Sequence, residues 1–369
     1  MDTLTHALSG ALLARATAPA EAPGGLALRT RMQAGFLAAA FPDSDIVLRI
    51  FGALPYLDLH RGVTHSILLL PFWAWLLAWI LSRFWRRRYG WRAFYGTAAL
   101  GIAIHIAGDI FTAYGTMVLA PFSHHRFSLP FTFIIDLYFS AIIAAGLLAS
   151  AARPPSRFPA IVALAALGCY VGFQGVLHSR AVEAGEAYAA SRLPARAKTR
   201  TYAFPQPLSP FYWRIVVVHE EEYHVASVDL GRERDRDAPE AGHGTGPAAH
   251  YRPIQGAAWA HYRKFGADIG QAAWAREAWG QTVFSRYRDF ALLPFLDRVE
   301  STTTGTCAWF LDLRFILPAL PPSLGYGVCR EDATGLWHAQ RMTETFGIDT
   351  LRAFIGMDAV DEKSHPPTP

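Results

Sequence analysis

Residues 62–82, GVTHSILLLPFWAWLLAWILS, run for 21 positions without a formal charge. At 1.5 Å per residue such a run, coiled as a helix, crosses the ~30 Å hydrocarbon layer of a bilayer. A chain that carries it is expected in a membrane, and three further stretches agree. Residues 93–117 contain Asp109 as their one charge, 131–150 contain Asp136, and 158–177 contain none. Four spans are therefore predicted. Two shorter apolar runs, 4–13 and 32–41, cannot span alone and are separated by the Pro/Gly-rich 18–25. They read as a short amphipathic helix and a partial or re-entrant one. The acidic start at Asp2 weighs against a cleaved signal peptide, whose first segment is basic.

Composition fits this reading. Of 369 residues, 52% are hydrophobic and 17% charged, which excludes a disordered chain. The net charge of +4 comes with no basic cluster interleaved with exposed aromatics, so no nucleic-acid partner is expected and the basic residues read as membrane flanks. Arg83, Arg86, Arg87, Arg88 and Arg92 follow the first span and Arg153 and Arg157 the third. The excess of basic residues in cytoplasmic loops puts both loops inside and everything after His178 outside. Arg180, Arg192, Arg196, Lys198 and Arg200 run against that assignment.

After residue 200 the pattern changes. Residues 211–220 and 223–230 are β-branched, aromatic-rich runs that read as a hairpin; 306–315 alternates like a strand; 255–291 has helical spacing. Residues 231–253 are too polar and too rich in Gly and Pro to build a core. The expected architecture is an α-helical integral membrane domain at 1–180, a linker at 181–200 and an extracytoplasmic soluble α+β domain at 201–369. Three cysteines without CxxC spacing exclude a cysteine-based metal site. Cys307 and Cys329 would face an oxidising compartment and either pair or stay as buried thiols.

The chemistry sits in the first 136 residues. A carboxylate at membrane depth is costly without a partner, so Asp109 and Asp136 need an explanation. His105 and Asp109 in HIAGD are four apart, so a helix projects both from one face. Asp2 and His6 in DTLTH repeat that spacing. Asp43 and Asp45 lie in FPDSD, and His60 and His65 in HRGVTHS at the mouth of the first span. Each motif has a bland reading: HxxxD as a packing pair, Asp2 and His6 as a surface face, FPDSD as a turn with Asp43 as a cap, HRGVTHS as an interfacial anchor, Asp136 as a helix-packing carboxylate. His124 and His125 read as loop surface. Topology favours convergence, because alternating spans bring His65, His105, Asp109 and Asp136 to the outer half of the membrane, within reach of His60 and FPDSD. Imidazole and carboxylate without thiolate suit zinc, manganese or iron, as one ion or two.

The opening MDTLTHALSGALLARA, then FPDSD, HRGVTHS, HIAGDIFTAYGT, PLSPFYWRIVV and FLDLRF, resemble the YdjM-like family of predicted membrane-bound metal-dependent hydrolases. The resemblance implies a multi-pass inner-membrane protein and a metal-site role for Asp2, His6, Asp43, Asp45, His60, His65, His105 and Asp109. Asp136 joins them from depth and spacing alone. A divalent ion, with zinc or manganese favoured, would lower the pKa of a bound water toward ~7 and supply a nucleophile. Asp45 or Asp136 would serve as base, and Arg61 would neutralise a substrate phosphate. A site open to the outer leaflet favours a lipid-like or amphiphilic phosphoester. The rival readings are a transporter or proton relay built from buried Asp and His, and a membrane anchor for the C-terminal domain.

Overall fold

The computed structural model describes residues 1–19, 25–85, 88–194, 198–232, 247–318 and 320–342. Arg86, Arg87, Arg196 and most of the polar 231–253 stretch lie outside them. The chain divides into two compact units, Met1–His178 and Ser179–Pro369.

The first unit is helical: α1 Thr3–Ala16, α2 Leu28–Ala40, α3 Ala53–Leu59, α4 Leu70–Phe84, α5 Trp91–Ile110, α6 Leu137–Ala152 and α7 Phe158–Arg192. Helices α1, α2 and α5 pack through glycine and alanine. A Cβ at Gly10 would stand 2.2 Å from the Gly35 carbonyl oxygen, and one at Gly35 would stand 2.5 Å from that of Gly10. At Gly101 it would meet the Ala38 Cβ at 2.7 Å. Small residues let helix backbones touch, which replaces the hydrophobic drive that lipid removes. The two N-terminal segments that are too short to span are thus a tightly packed pair laid against α5.

Among the described residues two helices, α5 and α7, are long and apolar enough to cross a membrane. A third candidate is the bent pair Ala53–His65 with Leu70–Phe84, which turns through 82°. Four spans are not confirmed, and the reasons are local. In the 62–82 run, Ser66 Oγ donates to the Ala120 carbonyl at 2.6 Å and Ile67 N to that of Val118 at 2.9 Å. These bonds hold the backbone out of helix until Leu70, where Pro71 occupies the first turn and lacks only a donor the helix does not need. In the 131–150 run, Phe131 N and Thr132 N donate to the Phe111 carbonyl, so the helix begins only at Leu137. That leaves α6 a shorter apolar helix of 16 residues.

The second unit is sheet-rich. Strands β1 Thr199–Pro205, β2 Tyr212–His219, β3 Glu222–Asp229 and β4 Trp259–Arg263 form one antiparallel sheet in sequence order. Strands β5 Pro294–Ser301, β6 Gly305–Asp312, β7 Tyr326–Glu331 and β8 Trp337–Arg341 form another. The expected hairpin is β2–β3, closed at His219↔Glu222, and β6 takes up the alternating 306–315 run as far as Asp312, after which Leu313–Phe315 form a 3₁₀ turn. The stretch expected to be helical at 255–291 opens instead with β4, which pairs with the otherwise open edge of β3. Helices α8 Ile269–Gly280 and α9 Ser285–Phe290 follow. The expected linker at 181–200 is helical as far as Arg192, because α7 continues through it. Cys307 and Cys329 sit opposite one another on β6 and β7 and form a disulfide.

Candidate metal centre

Four donor atoms converge inside the first unit. They are Asp43 Oδ1, His65 Nε2, His105 Nε2 and Asp109 Oδ2, all within 4.8 Å of one another. Five of the separations are 3.0 Å (His65–His105), 3.2 Å (His65–Asp109), 3.3 Å (His105–Asp109), 3.6 Å (His105–Asp43) and 3.8 Å (His65–Asp43). Four donors held tetrahedrally at ~2.0–2.1 Å from one ion stand roughly 3.3 Å apart, so these five edges are close to those of a single four-coordinate site, the sixth, Asp43–Asp109, lying within 4.8 Å.

Protonation supports the same conclusion. His105 Nδ1 lies 2.6 Å from the Ala39 carbonyl oxygen, which can only accept. The proton therefore sits on Nδ1, and Nε2 turns a lone pair toward the centre. Asp109 Oδ2 is buried beside the two imidazole nitrogens and has no hydrogen-bond partner among the described residues. A carboxylate oxygen left bare in the interior is costly unless a cation completes it.

The chain builds this point from three separate segments. His105 and Asp109 share one face of α5, as HxxxD spacing requires. Asp43 comes from an eleven-residue 3₁₀ helix, Phe41–Phe51, that begins where α2 ends. Runs of this kind rarely exceed a turn, and here Pro42 starts the change from α-helix. His65 comes from a second 3₁₀ turn, Val63–His65. It is reached only because Arg61 takes a left-handed φ of 61° and Gly62 lies so close to Leu59 that a Cβ would be 2.7 Å from its carbonyl oxygen.

Other groups aim these donors. Thr3 Oγ1 donates to Asp43 Oδ2 at 2.6 Å, leaving Oδ1 for the centre. Asp109 Oδ1 receives the Met1 amine at 2.6 Å, the Arg61 guanidinium at 2.9 Å and His6 Nε2 at 3.0 Å. His6 also stacks on His105 with ring centroids 3.8 Å apart, and Gly108 makes room for it. Asp45 Oδ1 lies 2.8 Å from His60 Nδ1, while its Oδ2 accepts from Arg61 N and Thr64 Oγ1. Thr64 Oγ1 is 2.9 Å from His65 Nδ1, so Asp45 reaches His65 through a hydroxyl.

Not every predicted residue reaches the shared point. Asp43, His65, His105 and Asp109 do; His6, Asp45, His60 and Arg61 surround them. Asp2 is the N-cap of α1, accepting from Thr5 N and Thr5 Oγ1, and touches none of the four. Asp136 caps α6 through Phe139 N and accepts from Tyr170 Oη at 2.8 Å, so the structure gives it a helix-packing role in place of the expected base. Arg61 is 2% exposed and committed to Asp109, Thr112 and the ring face of Tyr114, which removes it from direct contact with a substrate phosphate. Sequence reading missed Thr3 and Thr64, the hydroxyls that orient the ligands. Their signal was position: each adjoins or nearly adjoins a candidate ligand in its motif.

Residues 1–181 match the family model described as YdjM inner membrane protein. The chain is also 35% identical over 155 residues to the uncharacterized protein YfhP of Bacillus subtilis (strain 168), a match covering 40% of this chain and 47% of that protein. The match thus spans about half the length of that relative. No solved structure matches the chain. The segment that folds into the four-donor centre, residues 1–181, belongs to the YdjM family of inner membrane proteins.

Proposed function

We propose that the chain is a membrane-bound metal-dependent hydrolase acting on a phosphoester of a lipid or other amphiphile. The observation that carries the reading is the unpartnered Asp109 Oδ2 facing two imidazole nitrogens and a second carboxylate at the edges of a metal tetrahedron. Asp43, His65, His105 and Asp109 hold one divalent cation, and the mixed nitrogen and oxygen donors suit zinc or manganese. When bound, such an ion supplies Lewis acidity and draws the pKa of a coordinated water toward ~7.

The chain's own residues do the rest. Asp45 accepts the His60 Nδ1 proton, which leaves His60 Nε2, free of described hydrogen-bond partners, to take up a proton from water. This replaces a carboxylate base with a carboxylate-oriented imidazole, since both Asp45 oxygens are already engaged. Arg61 neutralises Asp109 from the far side and fixes its rotamer. Substrate access has an apolar wall. Ile46, Val47, Ile50 and Phe51, on the 3₁₀ helix that carries Asp43 and Asp45, are exposed, and hydrocarbon is the surrounding that such a surface fits.

A multi-pass arrangement with the C-terminal unit outside the cytoplasm is part of this reading. It is supported by the Cys307–Cys329 disulfide, a bond that persists in oxidising compartments, and with the Arg-rich loop after α4 inside it requires the 16-residue α6 to cross as a fourth span. Elemental analysis of detergent-purified protein tests the proposal first. Wild type is expected to carry near-stoichiometric metal and His105→Ala none, with phosphoester hydrolysis lost in the same variant. Wild type that stays metal-free after zinc and manganese are supplied would overturn it.

A further inference from the structure

The second unit contains a pocket that the metal centre does not explain. It is about 170 Å³ and is lined by Arg214, Ser227, His250, Arg252, Tyr262 and Ile316, among others. Arg214 is central to it. This residue points from β2 into the interior, is 5% exposed, and pairs in register with Ser227 on β3. Its Nη1 donates to the carbonyl oxygens of Leu313 and Ile316, so it joins two of the motifs singled out in the sequence, FYWRIVV and FLDLRF. Its Nε is buried without a hydrogen-bond partner. Among the described residues no carboxylate pairs with Arg214 or with Arg252.

A buried cation without a counter-charge costs several kcal/mol, and burial accordingly pushes the Arg214 guanidinium down from its ordinary pKa. Two nearby carboxylates show the alternative the fold uses elsewhere. Asp312 pairs with Arg314 at 2.8 Å, and Asp229 with Arg232 at 3.2 Å. Around the pocket the pattern is different. The Arg252 guanidinium, the His250 ring, Ser227 Oγ and Tyr262 Oη make no hydrogen bond to any described residue, and all of them line the same space. Two guanidinium groups, an imidazole and two hydroxyls line one cavity, with no carboxylate among the described residues that line it, and form a complementary set for an anion.

We infer that this pocket binds a small tetrahedral oxyanion of the phosphate class. A carboxylate offers two acceptor oxygens, whereas inorganic phosphate or a phosphomonoester headgroup offers three or four, enough for Arg214, Arg252, Ser227 and Tyr262 together. The size agrees, since 170 Å³ is the share of about five or six water molecules, room for a phosphate with a short stem and little more. The site lies wholly in the second unit and stands independently of the metal centre.

The test is isothermal titration of inorganic phosphate into the full chain in detergent, with the protein treated beforehand with chelator so that the metal centre adds no phosphate binding. The expected result is saturable one-site binding that Arg252→Gln weakens about tenfold or more and that His65→Ala leaves unchanged. Arg252 is on the half-buried rim, so its variant is the one that keeps the fold; Arg214→Lys, which keeps the charge but loses the fork, is expected to weaken binding as well. Titration of glycerol 3-phosphate and of a short-chain phosphatidic acid separates the sources. Tighter binding than inorganic phosphate assigns a headgroup, and equal or weaker binding assigns the free ion. Absence of saturation up to roughly 10 mM phosphate, equal affinity in Arg252→Gln, or acetate binding as tightly as phosphate would each overturn the inference.

Discussion

His105 Nε2 stands 3.0 Å from His65 Nε2, and the Ala39 carbonyl holds the His105 proton on the opposite ring nitrogen. Two imidazoles in that relationship need a positive centre between or beside them. Without one, two lone pairs face each other, since Thr64 Oγ1 gives its hydrogen to Asp45 and takes the His65 proton at Nδ1, and the bare Asp109 Oδ2 beside them gains nothing. A divalent cation satisfies all three atoms at once. Replacing His65 or His105 by Ala is therefore expected to remove bound metal, with an affinity loss beyond the roughly 10–100-fold that outer partners contribute. Metal content by elemental analysis, alongside a circular dichroism spectrum that shows the helices intact, checks this.

The groups that aim the ligands are expected to behave differently from the ligands. Thr3→Val removes the hydroxyl that occupies Asp43 Oδ2, and Asp45→Asn disturbs both the His60 pair and the Thr64 link to His65. Each should keep the metal stoichiometry while weakening affinity about 10–100-fold, read from competition with a chromogenic chelator. In Asp45→Asn hydrolysis should fall further than metal loading, because His60 also loses the partner that fixes its tautomer.

The centre depends on how closely three helices approach. Gly10→Val would force a side chain to within 2.2 Å of the Gly35 carbonyl, on the contact that sets α1 and α2 against α5. Overpacking of this kind costs about 1–3 kcal/mol, and here backbone is the neighbour that must move. The expected outcome is a lower melting temperature together with metal loss, whereas Gly96→Ala, with open space around its Cβ, should change neither.

Much of the site could be read from the sequence because its key pairs are local. His105 with Asp109 needs only helical spacing, and FPDSD and HRGVTHS each announce a polar interruption beside apolar residues. Long-range closure could not be read. Nothing in the spacing separates Asp43, which reaches the centre, from Asp2, which caps a helix, since that depends on whether Thr5 or a distant imidazole is the nearer partner. Asp136 failed for the same reason: depth along a helix matched, but its neighbour is Tyr170. The helix bounds of the apolar runs could not be read either, because hydropathy does not register the backbone bonds that delay α4 to Leu70 and α6 to Leu137. In the second unit the hairpin was visible from alternation, whereas β4 was hidden in an Ala/Trp/Arg-rich stretch whose helical spacing holds only beyond Asp268.

Chelation should destabilise the first unit. A ligand that binds only the folded state adds about 2.7 kcal/mol at a free concentration one hundred times its Kd. Wild type is therefore expected to melt several degrees higher with zinc or manganese than after chelator treatment, with a midpoint that rises with metal concentration. The His105→Ala variant should show no such dependence, and a shift of equal size in that variant would assign the stabilisation to another site. Acidification should reproduce the effect of chelator in wild type. Both imidazoles bind metal only in their neutral form, so proton competition lowers affinity as pH falls.

The disulfide gives a prediction that does not involve the metal. Cys307 and Cys329 enclose a sequence separation of 22 residues on adjacent strands, so the crosslink is expected to stabilise the second unit by about 3 kcal/mol through the unfolded chain it restrains. The Cys307→Ala/Cys329→Ala pair should accordingly unfold at lower denaturant than wild type, with metal content in the first unit unaltered. Peptide mapping without reductant should recover the two half-cystines linked, leaving Cys169 as the free thiol among the described residues. If protein from intact cells, quenched in acid and alkylated before lysis, carries free thiols at both positions, the second unit faces a reducing compartment and the proposed orientation fails.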